Sequence, residues 1–224
     1  MEQEQLYKLA QEIKIAPLNL LREEAEMLVL EAIARSDLPH HLIFYGGTAL
    51  RLAYNCPRFS EDLDFLQVSP VSERRLELAL KYALELDPGM SLEDIKDKRH
   101  TLFALLRLKS PFLKHSLSIK IEMSKRENGI HKEFRPLYSP VSVFQPSLFV
   151  ADLPSLELAK ERAVRSRGTA RDWFDLWYIN KMLRRAVLPE MKFDLDIHEF
   201  KREMKRLLPR TQWKLCDQAV KDFK

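Results

Sequence analysis

The first 38 residues carry apolar positions at helical spacing, among them Leu20, Leu21, Ala25, Leu28, Val29, Ala32 and Ile33, with glutamates and arginines between them. That period predicts one or two amphipathic helices. The apolar run Leu42-Ile43-Phe44-Tyr45 then predicts a short strand, followed by a Gly46-Gly47 turn and a short helix over Thr48–Ala53. Alternation resumes in Asp62-Leu63-Asp64-Phe65, which predicts a second strand. Ser72–Leu86 returns to the helical period and stops at Asp87-Pro88-Gly89, a strong turn signal.

Beyond that turn, Thr101–Lys109 and Leu117–Met123 alternate or nearly so and predict adjacent strands, the second closed by a turn at Glu127-Asn128-Gly129. Prolines 136, 140, 146 and 154 mark an extended or loop-like stretch, because each removes a backbone donor and disfavours helix before it. Four helical segments follow: Leu156–Arg167, ended by Gly168, then Arg171–Leu183, His198–Leu208 and Thr211–Phe223. The order predicts an α+β fold, with an α/β part over residues 1–150 and a helical part over 151–224.

Composition narrows the function. Charged residues are 31% of the chain and hydrophobic ones 46%, an ordinary globular balance. No apolar run approaches a membrane span, and the polar start MEQEQLYKLAQEIK does not read as a secretory signal, so the expected location is cytoplasmic with no membrane partner. Cys56 and Cys216 stand far apart, and the six histidines show no zinc spacing. The net charge of +4 is uneven: residues 155–224 carry +6 and residues 1–154 carry −2. A basic C-terminal third suits a nucleic acid or a polyphosphate, although a solvated helical surface gives the same count.

The candidate chemistry lies between the first two strands. Two of the five glycines stand side by side at Gly46-Gly47, where backbone must turn sharply or approach another group. On a strand, Asp62 and Asp64 share one face, with Leu63 and Phe65 on the other. Two adjacent carboxylates repel unless a cation sits between them, and hard oxygen ligands favour Mg2+ or Mn2+. Ser118, Lys120 and Glu122 share a face of the later strand, so Glu122 either completes a three-carboxylate metal site or is an exposed residue of an edge strand. Further on, Lys160, Val164 and Arg167 fall nearly on one line of a helix, while Glu161 and Arg165 make an i,i+4 pair. The next helix sets Asp172 and Asp175 beside an apolar face of Trp173, Leu176 and Trp177. Taken alone, these charges read as a solvated helix surface; a lysine and an arginine brought to a carboxylate–metal cluster would be the expected clamps for triphosphate oxygens, with an acid to orient the lysine.

Taken in order, Gly46-Gly47-Thr48-Ala49-Leu50, Arg58-Phe59-Ser60-Glu61-Asp62-Leu63-Asp64-Phe65, Lys160 with Arg165, and Arg171-Asp172 with Asp175-Leu176 resemble the AbiEii/AbiGii family of toxin nucleotidyltransferases. That family belongs to the polymerase-β-like nucleotidyltransferase superfamily, so the resemblance implies a mixed sheet flanked by helices and a helical C-terminal portion completing a cleft. It implies that Gly46, Gly47 and Thr48 cradle the nucleotide phosphates, with Arg58 and Ser60 in the same binding region. Asp62 and Asp64 would hold metal, Lys160 would contact the triphosphate with Arg165 in support, and Asp172 or Asp175 would supply a late acid. Ser60 either bonds the turn backbone or is a modification site whose phosphate would crowd the metal acids.

The implied reaction is transfer of a nucleotide from an NTP to an RNA hydroxyl, tRNA being the candidate acceptor, with loss of pyrophosphate. The implied partner is an antitoxin encoded nearby. Two other readings stand beside it: nucleotidyl or phosphoryl transfer to a protein or small molecule, and a catalytically idle nucleotide-binding module.

Overall fold

The computed structural model describes residues 3–111, 113, 115–126, 129–185 and 193–223. Two helices open the chain, α1 (Gln3–Ile13) and α2 (Pro17–Ala34). They are separated at Lys14, whose φ of 61° ends the first, and Pro17 starts the second in the first-turn position where no N–H is missed. A 3-10 turn, Leu38–His41, leads into β1 (Leu42–Tyr45), α3 (Gly46–Tyr54), β2 (Asp62–Gln67) and α4 (Glu73–Leu86). Then come β3 (Met90–Asp97), β4 (Thr101–Leu108), β5 (Leu117–Ser124), β6 (Lys132–Pro136) and β7 (Ser147–Ala151). The helices α5 (Leu153–Ser166), α6 (Ala170–Met182), α7 (Ile197–Leu207) and α8 (Lys214–Asp222) finish it, with a 3-10 turn at Arg210–Gln212.

The fold is α+β around one mixed seven-stranded sheet of order β3-β4-β5-β2-β1-β7-β6. The central strands set the site. β2 runs antiparallel to β1 and parallel to β5, and β1 runs parallel to β7. On β2, Leu63 and Phe65 are buried, and Phe65 is paired in register with Phe44, ring centroids 5.0 Å apart. Each such side chain contributes about 1.5–3 kcal/mol on burial, so a one-residue slip that exposed both and buried Asp62 and Asp64 is excluded. The apolar face of β2 thereby fixes the acidic face.

Three expectations change. Met90–Asp97 forms an edge strand that alternation did not mark, because a bulge between Leu92 and Asp94 breaks its period. The proline-rich stretch holds two strands, with Pro136 closing β6 and Pro146 standing just before β7. The helix expected from Leu156 begins at Leu153, because Asp152 caps it by accepting from the Ser155 N–H and Pro154 fits its first turn. The expected turn at Glu127-Asn128-Gly129 lies partly outside the described residues, with Gly129 alone described.

Candidate active site

Register brings the glycine turn onto the carboxylates. Tyr45, the last residue of β1, pairs with Asp64, so the chain leaves the sheet at Gly46 directly beside that side chain. Gly46 has φ +83°, and a Cβ there would stand 2.6 Å from Asp64 Oδ2. Gly47 is equally confined: a Cβ would overlap the Arg58 guanidinium and stand 2.8 Å from Ser60 Oγ. Helix α3 starts at Gly46, so its first-turn amides lie next to Asp64. Unpaired amides at a helix start, without side chains over them, make a seat for phosphate oxygens. The Thr48 hydroxyl is already used, donating to the Asp62 carbonyl at 2.5 Å, so Thr48 offers its backbone while its side chain pins α3 to β2.

Glu122 sits where the polar face of the later strand was expected. Asp64 pairs with Glu122 and Asp62 with Lys120 across the parallel β2–β5 ladder. β5 is an internal strand, between β4 and β2, so the reading of Glu122 as an edge residue fails. Lys120 Nζ lies 3.4 Å from Asp62 Oδ2 and 3.4 Å from Glu122 Oε1. Burial lowers the Lys120 pKa, but Asp62 and Glu122 outweigh it and hold the ammonium above its ordinary range. The ammonium stands between these two acids, and among the described residues no three acidic, histidine or cysteine side chains converge as metal ligands.

Among the described residues, no ion pair gives Asp64 such a cation, and Lys160 and Lys120 act on it only through their charge. Burial, the Asp62 charge and the Glu122 charge push it up to about 6 against the pull of Lys160 and Lys120. A half-compensated pair of hard carboxylates on one strand face is compatible with a divalent cation, which Asp62 and Asp64 would hold.

The helical part supplies Lys160, Arg167 and two aspartates that hold them together with Arg58 from the loop before β2. Arg58 is buried and donates two bonds to Asp175, Nε to Oδ1 and Nη2 to Oδ2, both 2.7 Å, and a third to the Phe59 carbonyl. Lys160 Nζ lies 2.7 Å from Asp175 Oδ2 and 3.3 Å from Asp172 Oδ1. Asp172 also accepts from Arg167 at 2.7 and 2.9 Å and from the Thr169 hydroxyl at 2.7 Å. Burial would raise both aspartates; Arg167, Lys160 and Thr169 hold Asp172 far below the usual carboxylate range, and Arg58 and Lys160 lower Asp175. Both carboxylates are fully buried and spent on cations, so they orient Lys160 and face no substrate.

Arg165, near the end of α5, and Arg167, its C-cap residue, are both exposed, and Arg167 donates into the acid network. The line Lys160–Val164–Arg167 was the signal for it, since i, i+4 and i+7 share a helix face. Arg58 is placed as a buried strut between the turn and α6, and Ser60 is half-buried beside Gly47.

A mixed sheet with a glycine-led helix beside paired carboxylates, closed by a lysine from a helical portion, is the arrangement of a nucleotidyltransferase. Among solved structures, the fold is similar to MenT4, a nucleotidyltransferase toxin from Mycobacterium tuberculosis, with a TM-score of 0.64 and 18% identity, covering 100% of this chain and 88% of that one. It is also similar to JHP933 from Helicobacter pylori, with a TM-score of 0.59 and 20% identity, covering 93% and 90%. Comparison with curated proteins by sequence gives no match. The family profile described as "Nucleotidyl transferase AbiEii toxin, Type IV TA system" matches residues 28–222, and the chain belongs to that family. It is thus a nucleotidyltransferase toxin of a type IV toxin–antitoxin family, which implies an NTP substrate and an antitoxin partner. Among the described residues, no helix is long and apolar enough to cross a membrane.

Proposed function

We propose that the protein transfers a nucleotide from an NTP to a hydroxyl of RNA, with tRNA the first acceptor to test. The observation that supports this best is the meeting of three elements at Asp64: the start of α3, the Asp62/Asp64 face, and the Lys160–Arg167 pair held by buried aspartates. The amides of Gly46 and Gly47 seat phosphate oxygens, and Lys160 and Arg167 neutralise the triphosphate from the opposite side. Held this way, the α-phosphorus faces the acceptor in line with the departing pyrophosphate. The acceptor hydroxyl releases its proton to solvent as its oxygen forms a bond to the α-phosphorus, the bond from that phosphorus to the bridging oxygen breaks, and pyrophosphate carries the electron pair away. A divalent ion, magnesium or manganese, held by Asp62 and Asp64 would supply charge neutralisation and acidify the attacking hydroxyl.

Arg58 and Asp175 act at a distance. They brace the turn against α6, so the phosphate seat and Lys160 keep their spacing. Division into an α/β part and a helical part puts the triphosphate between them on this reading. The test is incubation with each α-labelled NTP in turn, with total RNA and with total protein. Label on RNA, lost in Asp62→Asn, is expected; label on protein alone, or γ-label on any acceptor, overturns the reading.

A further inference from the structure

Beside the candidate site, a groove of about 1120 Å³ runs between the α1–α2 junction and the segment from α7 to the Arg210–Gln212 turn. Its wall carries Lys14, Arg22, Lys205, Arg206 and Arg210, and Glu61 is the one carboxylate among the described residues that line it. The two sides are tied together by backbone: the Arg210 N–H donates to the Lys14 carbonyl at 3.0 Å, and Asn19 Nδ2 donates to the Arg206 carbonyl at 3.1 Å. Trp213 lines the groove with Lys205 Nζ 5.1 Å and the Arg210 guanidinium 5.7 Å from its ring centre. Cations over an indole ring are held ready for an anion at little further entropic cost.

Glu61 links the groove to the candidate site along the chain. Glu61 precedes Asp62 in the chain, and its carboxylate bridges Arg22 of α2 at 2.8 Å and Arg171 of α6 at 3.3 Å. Arg171 in turn precedes Asp172 and also pairs with Glu203 at 3.4 Å, and Glu61 lines a smaller cavity with Arg171, Glu199, Arg202, Glu203 and Arg206. One carboxylate therefore occupies two arginines at the mouth of the site, where a phosphate would bind them better by offering more oxygens to two guanidinium forks.

We infer that this groove receives the single-stranded end of the RNA acceptor, and that Glu61 is an internal stand-in anion displaced from Arg22 and Arg171 by an acceptor phosphate. The inference rests on the reading of RNA as acceptor. RNA is favoured over an acidic protein because five cations line the groove together with Glu61, the residue before Asp62, and an aromatic ring sits among them as in single-strand binding sites. The resting Glu61 bridge makes the groove less sticky toward isolated anions, while a strand engaging all five cations at once displaces it.

The experiment has two arms on the full chain. Fluorescence anisotropy of a labelled single-stranded RNA 12-mer reads binding, and α-labelled NTP incorporation into total RNA reads KM for RNA and for NTP separately. Lys205→Ala/Arg210→Ala should weaken RNA binding about tenfold or more at low salt, raise KM for RNA in parallel, leave KM for NTP within about twofold, and flatten the salt dependence by about one to two logarithmic units of slope. Glu61→Gln should tighten RNA binding about threefold or more. Melting curves show that each variant is folded, and Lys205→Gln/Arg210→Gln replaces the alanine pair if it is not.

RNA binding by the variants equal to that of the unaltered chain overturns the groove while leaving the transferase reading intact. RNA binding lost in the variants, with no label ever reaching RNA, supports the groove and sinks RNA as the acceptor. No RNA binding by the unaltered chain overturns both. Poly-glutamate bound as tightly as RNA of equal charge would assign the groove to an acidic protein and overturn the inference.

Discussion

Arg58 and Asp175, 117 positions apart in the chain, face each other through two parallel hydrogen bonds of 2.7 Å with both side chains buried. The pair joins the loop before β2 to the middle of α6, and Lys160 closes the other side of the same carboxylate. Removing the acid leaves Arg58 buried without its anion and Lys160 with Asp172 alone. Asp175→Asn should therefore destabilise the fold by about 3–5 kcal/mol. Arg58→Met should cost less, since Asp175 keeps Lys160. Urea unfolding of the two variants checks the order; equal losses, or an Asp175→Asn chain as stable as the original, would contradict it.

Asp64 carries a pH signature. Its folded pKa, about 6, stands above the ordinary aspartate value, so the native state is penalised above about pH 6 and the penalty fades as pH falls toward 4. Asp172 has the opposite sign: its lowered pKa contributes stability above the usual carboxylate range that is lost in acid. Asp64→Asn should thus gain stability at pH 8, by at most about 3 kcal/mol, and show no gain at pH 4. Magnesium should raise the melting temperature of the unaltered chain at pH 8, by the equivalent of about 2.7 kcal/mol at a hundredfold excess over Kd, and should do little for Asp64→Asn. Thermal melts at the two pH values, with and without the ion, are the check.

Gly46 is confined by its positive φ and by Asp64 Oδ2. Gly46→Ala should cost about 1–3 kcal/mol from backbone strain alone and should abolish nucleotide transfer by pushing Asp64 out of line. Gly47→Ala should act differently, by displacing Arg58 from Asp175, and its loss should be smaller in an Asp175→Asn background. Full activity in Gly46→Ala, at any stability, would refute the phosphate seat.

Arg167 and Arg165 separate the site from the helix surface. Both are exposed, and Arg167 donates twice to Asp172 beside Lys160. Arg167→Ala should raise KM for NTP about tenfold or more, consistent with the loss of a charge-assisted contact worth roughly 1.5–3 kcal/mol. Arg165→Ala should leave KM for NTP within about twofold. Steady-state kinetics with the productive NTP distinguishes them, and equal effects would return the role to Arg165.

A continuous apolar run marked β1, and periodicity was enough for β2, β4 and β5, where side chains alternate with a period of two. It missed β3, where a bulge destroys the alternation, and it left β6 and β7 hidden among prolines that close or precede them rather than interrupt them. The acidic face, the paired glycines and the lysine were legible as residue types at set intervals.

By itself the sequence determined which residues could do chemistry: alternation put Asp62 and Asp64 on one side of a strand, and only glycine could take the φ required at Gly46. The tertiary structure decided which partners those residues meet. Parallel pairing of β2 with β5 set Lys120 between Asp62 and Glu122, and the packing of α5 and α6 chose Arg167 over Arg165 for Asp172. Such choices depend on long-range register and on which face of a helix is buried, and local spacing holds neither.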